Sequence, residues 1–147
     1  MGDRCYLVVN CKKADQARVD QAISGGYGAN QEEPIEGAED VIRLEYEEVN
    51  YGACDDRDAL AKEGIVFVGS SSEGSSYPAF EFASVNGEQL EVVTSDGTPM
   101  ARLDPVSLTL AAGEAEFLAR FKTHREAACA ALGLTVTWDA IPQGGGD

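Results

Sequence analysis

Two Asx-Gly dipeptides, Asn86-Gly87 and Asp96-Gly97, punctuate three short β-prone runs and fix the centre of this chain as a set of hairpins. Asn and Gly, or Asp and Gly, tolerate the left-handed backbone that tight hairpin turns require. The runs they separate are Ala79 to Val85, Glu88 to Thr94 and Thr98 to Asp104, with Ile65 to Val68 just upstream. Together they predict an antiparallel meander. A three-residue loop, Val85-Asn86-Gly87, is expected, because it pairs Phe82 with Leu90 and Phe80 with Val92. All four then lie on the core face, whereas a two-residue loop splits them. At Asp96-Gly97 a two-residue loop sets Val92 against Ala101, Leu90 against Leu103, and Glu91 opposite Arg102 on the outer face.

Around this centre, Tyr6 to Asn10 predicts a buried strand, and Lys12 to Ile23 a helix stopped by Gly25-Gly26. Residues 27–40, with Gly28, Pro34 and Gly37, read as a loop. From Val41 to Tyr51, Ile42, Leu44 and Tyr46 alternate with Arg43, Glu45 and Glu47, the period of a strand with one buried and one wet face. Asp55 to Glu63 predicts a short helix ended by Gly64. Glu114 to Leu132 is the longest helix, with Phe117, Phe121, Ala128 and Leu132 on one side and Gly133 as its stop. Thr135 to Trp138 could add a last strand. The expected fold is α+β: an antiparallel meander sheet of five to seven strands with the long C-terminal helix packed on one face. Residues 1–142 form a single domain and 143–147, with three consecutive glycines, a flexible tail.

Catalytic motifs do not emerge. Cys5, Cys11, Cys54 and Cys129 are scattered and with His124 lack the paired spacing of a zinc site, and the acids do not follow a calcium loop. No cofactor is expected, and the cysteines read as reduced thiols. The Ser/Gly stretch 69–76 resembles a hydrolase elbow only superficially, because Glu73 stands where Gly-x-Ser-x-Gly needs glycine. It lacks the ending of a P-loop. A Cys54–His124 couple needs a proximity that spacing cannot supply. No run of apolar residues reaches the roughly 18 of a membrane span, and no signal peptide is apparent, so a cytoplasmic location is expected.

Charge is the remaining lead. The chain carries 26 acids against 11 bases, a formal −15, which repels nucleic acid and anionic membranes and favours basic partners. Residues 32–63 hold twelve of the acids and three of the bases, a net of −9. Within them Glu45, Glu47, Asp55, Asp56 and Asp58, with Tyr46 and Tyr51 as aromatic anchors, form the candidate partner-binding set. The partner expected is a basic protein surface, including that of a nucleic-acid-binding complex. Two alternatives compete: a small enzyme or ligand-binding domain using the 69–76 loop, and a housekeeping protein whose acidity is diffuse.

The stretch from Leu44 through Tyr51-Gly52, followed by Asp58-Ala59-Leu60-Ala61-Lys62-Glu63-Gly64-Ile65, resembles small uncharacterised accessory proteins of phages and conjugative elements. Some proteins of that setting inhibit host defence, the anti-CRISPR proteins among them, and several are acidic and block nucleic-acid-binding surfaces. The resemblance therefore implies an inhibitor that acts by binding. It carries no functional residue across.

Overall fold

The computed structural model describes residues 4–73, 78–95, 98–100, 102–107 and 109–135. Its centre is β1, Arg4–Lys12. This strand is apolar on both faces, with Leu7, Val9 and Cys11 to one side and Val8 to the other, all buried. Such a strand needs cover above and below, and the chain supplies both. β1 is followed by α1 (Gln16–Ser24), β2 (Gln31–Ile35), β3 (Ala38–Asn50) and α2 (Cys54–Lys62). Then come β4 (Phe67–Ser71), β5 (Phe80–Val85), β6 (Glu88–Ser95), the two-residue β7 (Thr98–Pro99) and α3 (Glu114–Leu132). The strands lie in the order β2-β3-β1-β4-β5-β6-β7, and every pairing is antiparallel.

Three layers result. On one face Val19 of α1 and Leu60 of α2 pack among Leu7, Val9, Leu44, Tyr46, Phe67 and Phe82. On the other, Leu118, Phe121, Ala128 and Leu132 of α3 cover Val41, Val68, Ala83, Val85 and Val92. The α+β class, the β4–β7 meander and the long C-terminal helix on one face are as expected. The helical layer on the opposite face accounts for most of the departures.

The hairpin register is one of them. Val85 pairs with Glu88, Ala83 with Leu90 and Phe82 with Glu91, so the loop is the two residues Asn86-Gly87. Their φ values of 56° and 78° suit the mirror-image turn that a two-residue hairpin prefers. Phe80 and Phe82 thus face α2, and Leu90 and Val92 face α3. The three-residue loop expected from the sequence suits a sheet with a single buried face, and here both faces are buried. Beyond β6, Ser95 pairs with Thr98 and Thr94 with Pro99, and the Met100 amide donates to the Val93 carbonyl. Asp96-Gly97, the expected two-residue turn, lie outside the described residues. Among the described residues no further β6–β7 pair follows. Arg102 turns to Glu114 of α3 at 2.9 Å instead of Glu91, and Leu103 is exposed. The Asp104 carboxylate accepts from the amides of Val106 and Ser107, an Asx-type turn that diverts the chain before Pro105.

The expected loop 27–40 contains β2. Four of its five residues are exposed, so it has no apolar period, and Pro34 is tolerated because the strand is at the sheet edge. β4 runs past Val68 through Gly69 to Ser71, which takes three residues from the expected Ser/Gly loop. A Cβ on Gly69 would stand 1.9 Å from the Val8 carbonyl oxygen and 2.8 Å from the Phe82 ring. Gly69→Ala is therefore expected to cost at least the roughly 1–3 kcal/mol of core overpacking, read as a lower denaturant midpoint. A midpoint unchanged from the parent would contradict this close approach. Residues 136–147, which include most of the expected last strand and the whole tail, fall outside the described residues.

The α1/α2-side core also sets an alkaline limit. Burial, with Asp15 and Asp20 nearby, pushes the Cys11 thiol up to about 12. Burial and a hydrogen bond to Asp20 push the Tyr46 phenol well above its ordinary value. Between about pH 9 and 12 the folded chain holds protons that the unfolded chain releases. Stability is then full below about pH 8.5 and falls with rising pH, by at most about 1.4 kcal/mol per pH unit for each group. Urea melts at pH 8 and pH 10.5 should show the loss, and Cys11→Ala should flatten part of it. Equal midpoints at the two pH values would refute the assignment.

Candidate binding groove

The end of β3 does not keep its alternation. Leu7 pairs with Tyr46 but Cys5 pairs with Val49, so β3 carries one extra residue and bulges after Tyr46. Bulges re-aim side chains and cluster beside functional sites. The Glu47 amide, freed from the ladder, donates to Asn30 Oδ1 at 2.8 Å, and the Asn30 amide donates to the Glu45 carbonyl at 2.8 Å. The loop leading to Asn30 is pinned at its start. Gly25 caps α1 at φ 67°, and Ser24 Oγ donates to the Asp20 carbonyl and accepts from the Gly28 amide.

Between this loop, the bulge and the start of α2 lies a cavity of about 440 Å³. Ile23, Tyr46, Val49 and Ala53 line its inner wall, and Tyr27, Glu47 and Asp56 stand at its rim. Tyr27 is 97% exposed. Glu47 and Asp56 are exposed too, and among the described residues neither carboxylate has an ion-pair partner.

The expected partner-binding residues therefore separate. Glu47 and Asp56 meet in the groove. Asp55 is exposed beside Asp56 on the first turn of α2. Asp58 is exposed but reaches β6, where it accepts from Gln89 Nε2 at 2.7 Å. Glu45 was expected on the wet face and is only 8% exposed. It accepts the Tyr6 hydroxyl at 2.6 Å and faces Arg43 at 3.5 Å, so it is not a surface acid. Tyr46, expected as an anchor, is buried with its hydroxyl on the Asp20 carboxylate. Tyr51 begins the turn into α2, and its side chain lies outside the described residues. Tyr27 and Asn30 were missed. The sequence signal for them was an aromatic set among glycines, Gly25-Gly26-Tyr27-Gly28.

The other chemistries weighed from the sequence do not assemble among the described residues. His124 Nε2 lies 2.7 Å from the Glu88 carbonyl, and α3 is on the opposite side of the sheet from Cys54. Ser70 and Ser72 line a second cleft of about 310 Å³ with Tyr6, Glu81 and Thr94. There, Ser72 Oγ accepts the Tyr6 amide at 2.8 Å, and Ser71 Oγ donates to the Ser72 carbonyl. Among the described residues no side-chain base is hydrogen-bonded to either hydroxyl. Among the described residues no three His, Cys, Asp or Glu side chains converge as metal ligands, and no helix is long and apolar enough to cross a membrane. Compared with known proteins, the chain matches no family model, no curated protein and no solved structure.

Proposed function

We propose that this is a non-enzymatic binding protein that engages a basic protein surface through its α1/α2 side. The observation that carries the reading is where uncompensated charge sits. α3 carries three acids, Glu114, Glu116 and Glu126, and three bases, Arg120, Lys122 and Arg125, and is close to neutral. On the other side α2 sets Asp55, Asp56 and Asp58 against Lys62 and the buried Arg57, and among the described residues exposed Glu47, Asp55 and Asp56 have no ion-pair partner. A net of −9 over residues 32–63 beside a near-neutral α3 is not the even spread of a diffusely acidic protein. A basic surface able to receive them is also one that binds phosphates, so the expected consequence of binding is competition with nucleic acid for the partner. This includes the inhibition of a defence complex that the resemblance implies.

The test compares two charge-reversal sets in pull-downs from the source cells. Glu47→Lys with Asp55→Lys and Asp56→Lys should abolish capture that Glu116→Lys with Glu126→Lys leaves intact. Capture by the parent should weaken between 0.05 and 0.5 M salt, because exposed pairs are screened over about 10 Å at 0.1 M. Equal capture by both sets would end the proposal.

A further inference from the structure

We infer that the groove between α1, the β3 bulge and α2 seats one arginine side chain of that basic partner; the inference rests on the function proposed above and names the feature recognised. The cavity, about 440 Å³, is in the range of sites that enclose a ligand group. Its chemistry is graded from inside to outside. Ile23, Val49 and Ala53 offer an apolar wall for a methylene stem, the part of a long cationic side chain that gains from leaving water. Glu47 and Asp56 come from different elements, β3 and α2, and present two carboxylates to one opening. Tyr27 adds a ring almost wholly open to solvent, over which a cation can lie.

Arginine fits these groups better than lysine does. A planar guanidinium can donate to two carboxylates and still stack on an aromatic face, whereas an ammonium is a compact, strongly hydrated point charge. An anionic ligand is disfavoured at the same opening by both carboxylates. Preorganisation supports the assignment. Glu47 is aimed by a bulge whose free amide Asn30 secures, and the loop carrying Tyr27 is tied to α1 through Ser24, so little ordering remains to be done on binding.

The experiment titrates the ¹⁵N-labelled full chain with three blocked tripeptides, Gly-Arg-Gly, Gly-Lys-Gly and Gly-citrulline-Gly. Citrulline keeps the shape of arginine and lacks its charge. The arginine peptide should shift the amides of Asn30, Glu47 and Asp56, the lysine peptide should bind several-fold more weakly, and the citrulline peptide should leave these amides in place. Glu47→Gln with Asp56→Asn should weaken the arginine peptide at least tenfold, and Tyr27→Ala at least threefold. Unchanged amide dispersion will show that these exposed positions leave the fold intact. Shifts of equal size from arginine and citrulline overturn the inference, as do shifts spread evenly to Glu116 and Glu126 or an affinity indifferent to the variants. The two readings fail separately. If the lysine reversals abolish partner capture while the neutral pair and Tyr27→Ala do not, the basic partner stands and the arginine seat falls.

Discussion

Replacing Arg57 with alanine should lower the unfolding free energy by about 3–5 kcal/mol, the loss typical when a large core side chain is truncated and a buried acceptor is left without its donor. Arg57 has no exposed surface. Its Nε donates to the Gly52 carbonyl at 2.7 Å, its Nη1 donates to Gln89 Oε1 and lies 3.5 Å from Glu91. Its guanidinium carbon sits 4.9 and 4.4 Å from the ring centres of Phe80 and Phe82. The Gly52 bond matters most. Gly52 and Ala53 are both left-handed, at φ 63° and 55°, and the alanine is held there at some cost in strain. Truncating Arg57 leaves that carbonyl without its donor and opens a void between α2 and β5. Met at the same position is a sharper test. Burial disfavours the charge on Arg57, and among the described residues the enclosed Nη2 has no hydrogen-bond partner. A hydrophobic side chain of similar volume thus removes a cost along with the bonds, and Arg57→Met should lie within about 1.5 kcal/mol of the parent. Urea denaturation at neutral pH gives both values. If the methionine variant is as unstable as the alanine variant, the lost hydrogen bonds and not the void carry the cost, and this account is overturned.

This network was not legible in the sequence, and the reason is general. Cys54 to Lys62 reads as a polar helix with acids in its first turn, and nothing local shows that its arginine turns inward onto two phenylalanines 23 and 25 residues away. What could be read came from local pattern: the apolar run of β1, the turn positions between strands, and the length and stop of α3. What failed depended on how many faces the sheet buries. β5 carried the warning, since Phe80 and Phe82 alternate with Ala83 and Val85 in one strand, apolar on both sides. The same omission misplaced Glu45, whose alternation with Tyr46 was correct but whose face is enclosed. β2 was missed for the opposite reason, because an exposed edge strand has no buried side to impose a period. In the groove, Glu47 and Asp56 were found from charge density alone. The bulge that brings them together comes from a one-residue excess in β3 relative to β1, a relation that neither strand shows by itself.

Phe82→Ala should rival the loss of Arg57, at about 3–5 kcal/mol. Phe82 is fully buried. It meets Phe67 edge-on with ring centres 5.7 Å apart, Phe80 at 6.1 Å, and the bare backbone of Gly69 beneath. Gly69 is bare because the ring occupies the space above it, so an alanine at 82 leaves a void that neither neighbour can fill without moving the sheet. The two-sided core then makes a prediction that the register expected from sequence does not. Phe82 and Arg57 touch, and a double-mutant cycle using Phe82→Leu and Arg57→Met should give a coupling of about 0.5–2 kcal/mol, the range for a desolvated cation over an aromatic face. Phe82 and Leu118 belong to different clusters on opposite sides of the sheet. Their truncations should add to within about 0.5 kcal/mol. Had Phe82 shared a face with Leu90, which packs with Leu118 under α3, the pattern would be reversed. Additivity with Arg57 and strong coupling to Leu118 would therefore overturn both the register and the assignment of Phe82 to the α2 side.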